Sequence, residues 1–278
     1  ILLDERAALI FSLLSSILAV LTLSSDMYGF FYVLMCNLIG ILTIRSAVQR
    51  VGFVGAGFKL GSAAIALFMV LQYAKLAPFG FAGGLLGSTL ALLSGPITTG
   101  LLVFLLPLFE RLFMVTTVMR LQELGNINLP LIRELIVRAP GTYNHSVTVG
   151  TLSEGAAEAI GLNPIFARVA CFYHDIGKSI HPEYFVENQR GENIHDRISP
   201  EESVKLVVDH VTKGIRMARS AKLPSAMIDI IPQHHGTKVL TYFHQKAKNR
   251  VSAADEIDDT QFRYPGPKPQ TKMAAVIM

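Results

Sequence analysis

The stretch from Ala170 to Lys178 joins an apolar run to a pair of residues that could bind a metal. In it, His174 and Asp175 follow the apolar residues, and Gly177 comes just before the closing lysine. A neutral histidine nitrogen is a common metal ligand, and a neighbouring carboxylate can bridge two ions. The pair therefore predicts a metal site at the end of an apolar element.

Four further histidines lie where they could complete such a site. His145 precedes the pair, whereas His210, His234 and His235 follow it, and each falls in a segment that the sequence predicts as helix. No cysteine is part of this set, so its donors are nitrogen and oxygen. That chemistry favours iron, manganese or another borderline metal over a structural zinc site built on thiolates.

Charge divides the 278-residue chain into two parts of different character. Residues 1–113 carry six Lys/Arg and four Asp/Glu, and residues 114–278 carry the other nineteen and seventeen. The first part has the composition of a lipid-embedded segment and the second that of a soluble domain. Each part has a net charge of +2 by these counts, which gives no strong case for a nucleic-acid polymer as partner.

The two cysteines, Cys36 and Cys171, lie in apolar runs, which predicts buried thiols and no disulfide.

Residues 1–113 predict a polytopic helical membrane region with four to five spans, so the lipid bilayer is a partner. About 20 residues cross a bilayer as helix. We expect four full crossings plus an irregular segment, because Gly95-Pro96 should break the last and longest run. Basic residues from Arg45 to Lys59 should form a loop on the cytoplasmic side. The apolar runs are Ala7–Leu23, Tyr28–Ile44, Ala56–Ala74 and Phe79–Phe113.

Both ends of the sequence indicate a piece of a longer protein. The chain starts at Ile1 without the basic region and cleavage site of a signal peptide. It stops at Met278 inside an apolar run that begins at Met273, where a domain rarely ends. We therefore expect further sequence on both sides.

Residues 114–139 are predicted as juxtamembrane coupling helices, for which a plain tether is the alternative. Residues 140–278 lack the alternation of apolar and polar residues that is typical of β-strands, so we predict an all-α domain there. Asparagine or serine before proline marks two helix starts, at Asn163 and Ser199. Pro140-Gly141 predicts a turn. The expected helices are Asn144–Ile160, Asn163 towards His174, Ser199 through His210, Pro224–His234 and Val239–Val251, followed by a polar loop over Asp255–Pro269.

Seven stretches of the chain resemble the bacterial seven-transmembrane HD-domain proteins, which belong to the HD superfamily of metal-dependent phosphohydrolases. The likeness is specific from residue 107 onward and general in the membrane part. It implies a membrane region followed by an all-helical HD-type phosphohydrolase domain. The stretches are Pro107–Glu110, Leu121–Leu124, Ala139–Ser146, Tyr173–Lys178, Pro182–Gln189, Gln233–Thr237 and Phe262–Gln270.

That resemblance implies a membrane-anchored phosphodiesterase that hydrolyses cyclic di-AMP to a linear dinucleotide. It also implies two divalent transition-metal ions, Fe or Mn before others, with Asp175 as the bridge between them. The family pattern has a further Asp beyond the segment that ends here at Met278, and an extracellular sensor domain before the membrane region. The implied ligands are His145, His174 and Asp175 for one ion, and Asp175, His210, His234 and His235 for the other.

The implied chemistry assigns catalytic roles to Asp175 and Lys178. Two close metals lower the pKa of a shared water, which then attacks phosphorus in line. Lys178 follows a turn glycine and would meet a phosphate as a point charge. A nucleotide messenger is found in the cytoplasm, so we expect the HD domain there. We expect His181, His195 and His244, which have no place in the motif, at the surface or behind the ligands.

Two alternatives accompany this interpretation. The first is a cyclic di-GMP phosphodiesterase of the related group, which carries Gly-Tyr-Pro soon after its histidine pair. Here Gly236-Thr237-Lys238 follows the pair, which argues against that substrate. The second is a membrane receptor that binds nucleotide without cleaving it, and the intact run of ligands argues against that. A homo-oligomer remains open.

Overall fold

The structure, a computed structural model, describes residues 5–23, 27–45, 50–74, 80–113, 115–250 and 258–278. The described residues contain helices and turns but no strand, apart from one isolated bridge between Val239 and Arg263. The predicted all-α class is therefore confirmed. The chain divides into two compact units, Ile1–Met119 and Arg120–Met278.

The first unit is built from four apolar helices. Three of them are long and apolar enough to cross a membrane, over Met27–Ile44, Gly52–Tyr73 and Ala82–Phe113, and Ala7–Thr22 is a shorter apolar helix. The number of spans stays a prediction. The helices are α1 (Glu5–Leu23), α2 (Met27–Arg45), α3 (Arg50–Tyr73) and α4 (Phe81–Phe113).

The predicted break at Gly95-Pro96 is wrong, because α4 continues through Pro96 and Pro107. A proline inside a helix removes the hydrogen bond to the carbonyl four residues earlier, here that of Leu92. A Cβ on Gly61 of α3 would collide with that carbonyl oxygen, and one on Gly95 would collide with the backbone of α3. Small residues let membrane helices approach this closely. The packing against α3 therefore supports α4 at the point where its own hydrogen bonding is interrupted.

The predicted basic loop from Arg45 to Lys59 is also wrong in extent. Helix α3 begins at Arg50, so Lys59 lies within a helix and the third apolar run starts six residues before the predicted Ala56. Only residues 46–49 separate α2 from α3, and they lie outside the described residues. Residues 24–26, between the first two apolar runs, lie outside them as well.

The second unit contains the remaining helices, and the boundary between the units falls within α5. Four short 3₁₀ turns connect α8 to α9, and a fifth precedes α13. The helices are α5 (Val118–Leu124), α6 (Pro130–Arg138), α7 (Pro140–Ala159), α8 (Pro164–Tyr173), α9 (Pro200–Ser220), α10 (Ser225–Ile228), α11 (Ile230–Gln233), α12 (Thr241–Lys248) and α13 (Lys272–Ile277).

Local start signals were predicted well in this unit, with one exception. The side chain of Asn163 accepts a hydrogen bond from Phe166 N, and Ser199 accepts one from Glu202 N, so both predicted caps are confirmed. The predicted turn at Pro140-Gly141 is wrong, because α7 begins at Pro140. Proline suits the first helical position, where its missing N–H has no partner to lose. The predicted helix over Val239–Val251 is shorter, as α12, and residues 251–257 lie outside the described residues.

Helix α8 runs through the core of the second unit. Its residues Cys171 and Tyr173 are fully buried and pack with Val211 of α9 and Ile231 of α11. The hydroxyl of Tyr173 donates to the Leu124 carbonyl oxygen at 2.6 Å, so this buried polar group is satisfied. The C-terminal end of α8 is thereby fixed in the core, and the next residue is His174.

Candidate metal centre

Asp175 lies at the centre of the histidine cluster, with a side chain only 1% exposed. One of its oxygens, Oδ1, is 3.2 Å from His210 Nε2 and 3.3 Å from His234 Nε2. The other oxygen, Oδ2, is 3.2 Å from His174 Nε2 and 3.8 Å from His145 Nε2. The carboxylate therefore faces two sets of imidazoles, one from each oxygen.

The structure brings all six residues proposed as metal ligands into this cluster. They form two groups that share Asp175, and the potential ligand atoms within each group lie within 4.8 Å of one another. This is the arrangement that a bridging carboxylate between two ions requires. Their role as ligands stays a prediction. The groups are Asp175, His210, His234 and His235, and His145, His174 and Asp175.

Close backbone contact explains how residues distant in sequence meet here. The 3₁₀ turn Ile176–Ser179, which follows Asp175, lies directly against α9. A Cβ on Gly177 would overlap the carbonyl oxygen of His210 and come within 2.6 Å of the Gly214 nitrogen. Only glycine allows the two backbones to approach this closely. The approach places the imidazole of His210 beside the carboxylate of Asp175.

Three of the histidines are oriented by their own helices. The Nδ1 atom of His174 is 2.7 Å from the Cys171 carbonyl oxygen, three residues earlier. His210 and His234 make the same contact at 2.6 Å, to the carbonyl oxygens of Val207 and Ile231. A carbonyl oxygen only accepts, so Nδ1 must carry the proton and donate it. The Nε2 lone pair of a neutral ring then points at Asp175, as in a metal-ligating histidine with its other nitrogen held by the protein.

This arrangement leaves acceptors facing one another. Among the residues that the structure describes, Asp175 Oδ1 and the Nε2 atoms of His210, His234 and His235 are buried and have no hydrogen-bond partner. Burial lowers the pKa of His234 to about 4, so its ring is neutral near pH 7 and its Nε2 is an acceptor. Unsatisfied buried polar atoms are unfavourable, and a cation between them would satisfy all four. The donor set of imidazole nitrogen and carboxylate oxygen fits a divalent transition metal.

The protonation states around Asp175 suit the binding of cations. Burial alone would raise the pKa of Asp175, but the positive Lys178 and the neighbouring His174 hold it well below its ordinary value. Burial lowers the pKa of His235 to about 2. Burial would lower the pKa of His174 too, yet the charge of Asp175 raises it. The carboxylate of Asp175 is thus ionised, and the histidine pair His234-His235 is neutral.

Lys178 contacts the carboxylate of Asp175 itself. Its Nζ lies 2.8 Å from Asp175 Oδ2 and 3.0 Å from Glu187 Oε1, and 4.9 Å from the centre of the Phe185 ring. Burial would lower the pKa of Lys178, but the two carboxylates raise it above its ordinary value. The side chain is only 12% exposed. Lys178 is therefore a permanent positive charge shared between two acids, and its contact with a phosphate stays a prediction.

The three histidines outside the motif lie outside both ligand groups. His181 contacts Glu183 at 3.2 Å, and His244 contacts Asp259 at 2.6 Å. His195 is buried at 4% exposure, with Nε2 2.9 Å from the Tyr184 carbonyl oxygen and its ring against Phe243. Burial rules out a surface position for His195. In the second His-Asp dipeptide, which begins at His195, the histidine thus packs against Phe243 and the aspartate is exposed, so the pair lies outside both ligand groups.

Sequence reasoning missed three residues that contact the cluster or the elements around it. Tyr264 stacks on His235, with ring centroids 4.0 Å apart and an interplanar angle of 20°. Glu187 binds Lys178, and the adjacent Asn188 binds the start of α7. All three lie in stretches that carry the family resemblance, but no spacing or residue pattern indicated what they contact.

Comparison with known proteins identifies the class of each part of the chain. Residues 142–277 match the HD domain, and residues 1–117 match the family described as a 7TM receptor with intracellular HD hydrolase. The second unit is therefore an HD domain. The chain belongs to the family of 7TM receptors with an intracellular HD hydrolase, and it is a membrane protein.

The relatives found include two bacterial enzymes. The chain is 38% identical to the cyclic-di-AMP phosphodiesterase PgpH of Bacillus subtilis and 37% identical to that of Listeria monocytogenes, over its whole length. It spans 40% and 39% of the length of these relatives. The crystal structure of the L. monocytogenes PgpH HD domain in complex with cyclic-di-AMP superposes with a TM-score of 0.52 at 46% identity. That match covers 55% of this chain and 70% of the other.

Proposed function

We propose that the protein is a membrane-anchored, metal-dependent phosphodiesterase that hydrolyses cyclic di-AMP to a linear dinucleotide. The observation that carries this proposal is the set of buried acceptor atoms converging on Asp175, which bound cations would satisfy together. A site of this kind binds and polarises a phosphate. The relatives named as cyclic-di-AMP phosphodiesterases supply the substrate class.

The proposed cofactors are two divalent transition-metal ions, Fe or Mn before others. When bound, such a pair supplies an activated water for in-line attack and neutralises charge on the phosphate oxygens. The protein would hold one ion with the group around His174 and the other with the group around His210, and Asp175 would bridge both. Carbonyl bonds to Nδ1 fix three of the imidazoles before any ion arrives, so little reorganisation is needed.

Lys178 is proposed to act as a catalytic cation within this site. Its ammonium group is fixed by Asp175 and Glu187 on the Oδ2 side of the bridging carboxylate. The permanent charge would stabilise negative charge that develops on the reacting phosphate. The two carboxylates hold the ammonium group in place, so its position does not depend on the substrate.

The preference for adenine must come from contacts between the pocket walls and the base. Metal ligands and a lysine contact phosphates, and none of them recognises a base. We expect purified protein to cleave cyclic di-AMP at least tenfold better, in kcat/KM, than cyclic di-GMP. Tenfold requires only about 1.4 kcal/mol of differential transition-state binding, which one buried hydrogen bond to a base edge can supply.

Competition assays with both dinucleotides at equal concentration measure this ratio directly. The control is the Asp175→Ala protein, which reports any contaminating hydrolase. Equal rates for the two substrates, or a preference for guanine, would contradict the substrate assignment and leave the metal chemistry standing. Saturable binding of cyclic di-AMP without any cleavage would instead favour a nucleotide-binding receptor.

We also propose that residues 140–278 form an HD domain on the cytoplasmic side of the membrane, where a nucleotide messenger is available. Cysteine accessibility labelling in intact cells tests this orientation. We expect cysteines introduced at exposed positions such as Arg190 and Tyr242 to resist an impermeant reagent until the cells are opened. Labelling of these positions from outside would contradict the proposal.

Residues 114–139 are proposed as coupling helices, since a single residue separates α6 from α7, which carries His145.

A further inference from the structure

A chain of hydrogen bonds joins the start of α7 to the bridging carboxylate. The amide nitrogens of Gly141 and Thr142 donate to Asn188 Oδ1 at 2.9 and 3.2 Å. The Asn188 amide donates to Thr142 Oγ1 at 2.8 Å, and this hydroxyl donates to Glu187 Oε1 at 3.0 Å. Lys178 then links that oxygen to Asp175, as described above. Thr142 itself is fully buried.

Asn188 acts here as the N-terminal cap of a helix that lies 46 residues earlier in the chain. The first amide groups of a helix have no partner within it and need an external acceptor. The residue at the usual capping position of α7 is Ala139, whose side chain cannot accept a hydrogen bond. Asn188 supplies the missing acceptor from the 3₁₀ turn Val186–Asn188.

The same turn also lies against the backbone of α7. A Cβ on Gly141 would overlap the carbonyl oxygen of Glu187 and lie 2.9 Å from Asn188 Oδ1. Glycine is therefore the residue that allows this contact. The position of the first turn of α7 is thus set by residues 187 and 188, both by hydrogen bonds and by contact.

The location of this first turn matters because α7 carries His145. The side chain of His145 is 47% exposed, whereas those of His174, His210 and His234 are at most 4% exposed. In the part of the chain that the structure describes, no carbonyl oxygen fixes the ring of His145 as it does those of the other three. The position of His145 therefore depends on the helix that carries it.

We propose that Asn188 is a positioning residue for the metal centre, which places His145 by capping α7. Glu187, through Thr142 and Lys178, joins this cap to Asp175, so the cap and the bridging carboxylate are held by one network. The proposal rests on the metal centre of the proposed function and not on its substrate. It concerns one ion only, because His145 belongs to one of the two ligand groups.

Replacement of Asn188 by leucine tests this role in the full-length protein reconstituted in nanodiscs. Manganese binding is measured by the EPR signal of the free ion, which needs no substrate. We expect Asn188→Leu to raise one of the two dissociation constants at least fivefold and to leave the other within twofold. Phosphodiesterase activity, assayed with cyclic di-AMP, should return towards the wild-type value at saturating manganese, as a defect in ligand position predicts.

The matched control is Asn163→Leu, which removes a cap from α8. Asn163 accepts from Phe166 N at 3.0 Å, and the ligand His174 lies at the opposite end of that helix. This variant should lose thermal stability and keep both dissociation constants within twofold. Asn188→Asp, which keeps the acceptor oxygen, should also keep both dissociation constants within twofold of the wild-type values. Asn188→Ala provides a smaller change in case the leucine variant does not fold.

The results separate this inference from the proposed function. Unchanged dissociation constants in folded Asn188→Leu or Asn188→Ala would overturn the positioning role, as would an equal loss in Asn163→Leu. Binding of no manganese by the wild-type protein would overturn both the metal centre and this role. Selective weakening of one ion in a protein that does not cleave cyclic di-AMP would support the positioning role and contradict the substrate.

Discussion

Replacement of Asp175 by alanine is expected to abolish phosphodiester hydrolysis and to deplete both metal ions. The carboxylate contacts both groups of histidines, with one oxygen towards each. Its loss would also leave Lys178 with Glu187 as its single acidic partner and leave the four surrounding histidines without an anion. We expect kcat/KM to fall at least a thousandfold, which corresponds to about 4 kcal/mol of transition-state stabilisation.

The chain provides a matched control for this substitution in its second His-Asp dipeptide. Asp196 is exposed and bound to Lys246 at 2.8 Å, outside the metal centre. Asp196→Ala should therefore keep activity within twofold and full metal content. Elemental analysis of both purified variants gives the number and identity of the ions, and we expect iron or manganese before zinc in the wild type. Turnover by Asp175→Ala within tenfold of the wild type would refute the bridging role.

Helix starts in the second unit could be predicted because their causes lie within a few residues. Asn163 and Ser199 each cap a helix through an amide three residues later, and the proline that follows each has a backbone angle suited to helix. These start signals are local and require no tertiary partner. The end of α8 at Tyr173 was also close to prediction, whereas α9 runs past His210 to Ser220.

Prolines were misjudged where tertiary packing decides their effect. Pro96 was expected to interrupt α4, but the helix continues through it. Close packing against glycines of α3, which lie more than thirty residues away in the sequence, supports the helix where the proline removes a hydrogen bond. Pro140 was expected in a turn, but it opens α7 because Asn188 supplies the cap from a distant segment. In both cases the deciding partner is far away in the sequence, so local pattern could not reveal it.

The candidate site was more accessible to sequence reasoning than its support was. Histidine and aspartate types, their order and the family resemblance together indicated the six residues that the structure gathers around one carboxylate. The contacts that hold them were hidden, because Glu187, Asn188 and Tyr264 belong to common residue types with no characteristic spacing. His195 was expected at the surface or behind the ligands, and the fold buries it outside both ligand groups.

Replacement of His210 by alanine is expected to remove one of the two ions and to reduce turnover at least a hundredfold. His210 belongs only to the group that contains His234 and His235, and its ring lies against Asp175 Oδ1. Loss of one ligand from a set of four weakens the binding of that ion, while the group around His174 keeps all its members. A hundredfold loss corresponds to about 2.7 kcal/mol of transition-state stabilisation, consistent with removing a metal ion that activates water.

The experiment compares the metal content of three variants. We expect His210→Ala to retain close to one ion per chain, and His145→Ala to retain the other ion, so that the two variants show different manganese EPR signals. His181→Ala, at a half-exposed histidine beside Glu183, controls for the loss of an imidazole elsewhere in the domain and should retain both ions. Retention of both ions in His210→Ala, or loss of the same ion in both ligand variants, would contradict the division of the ligands around Asp175.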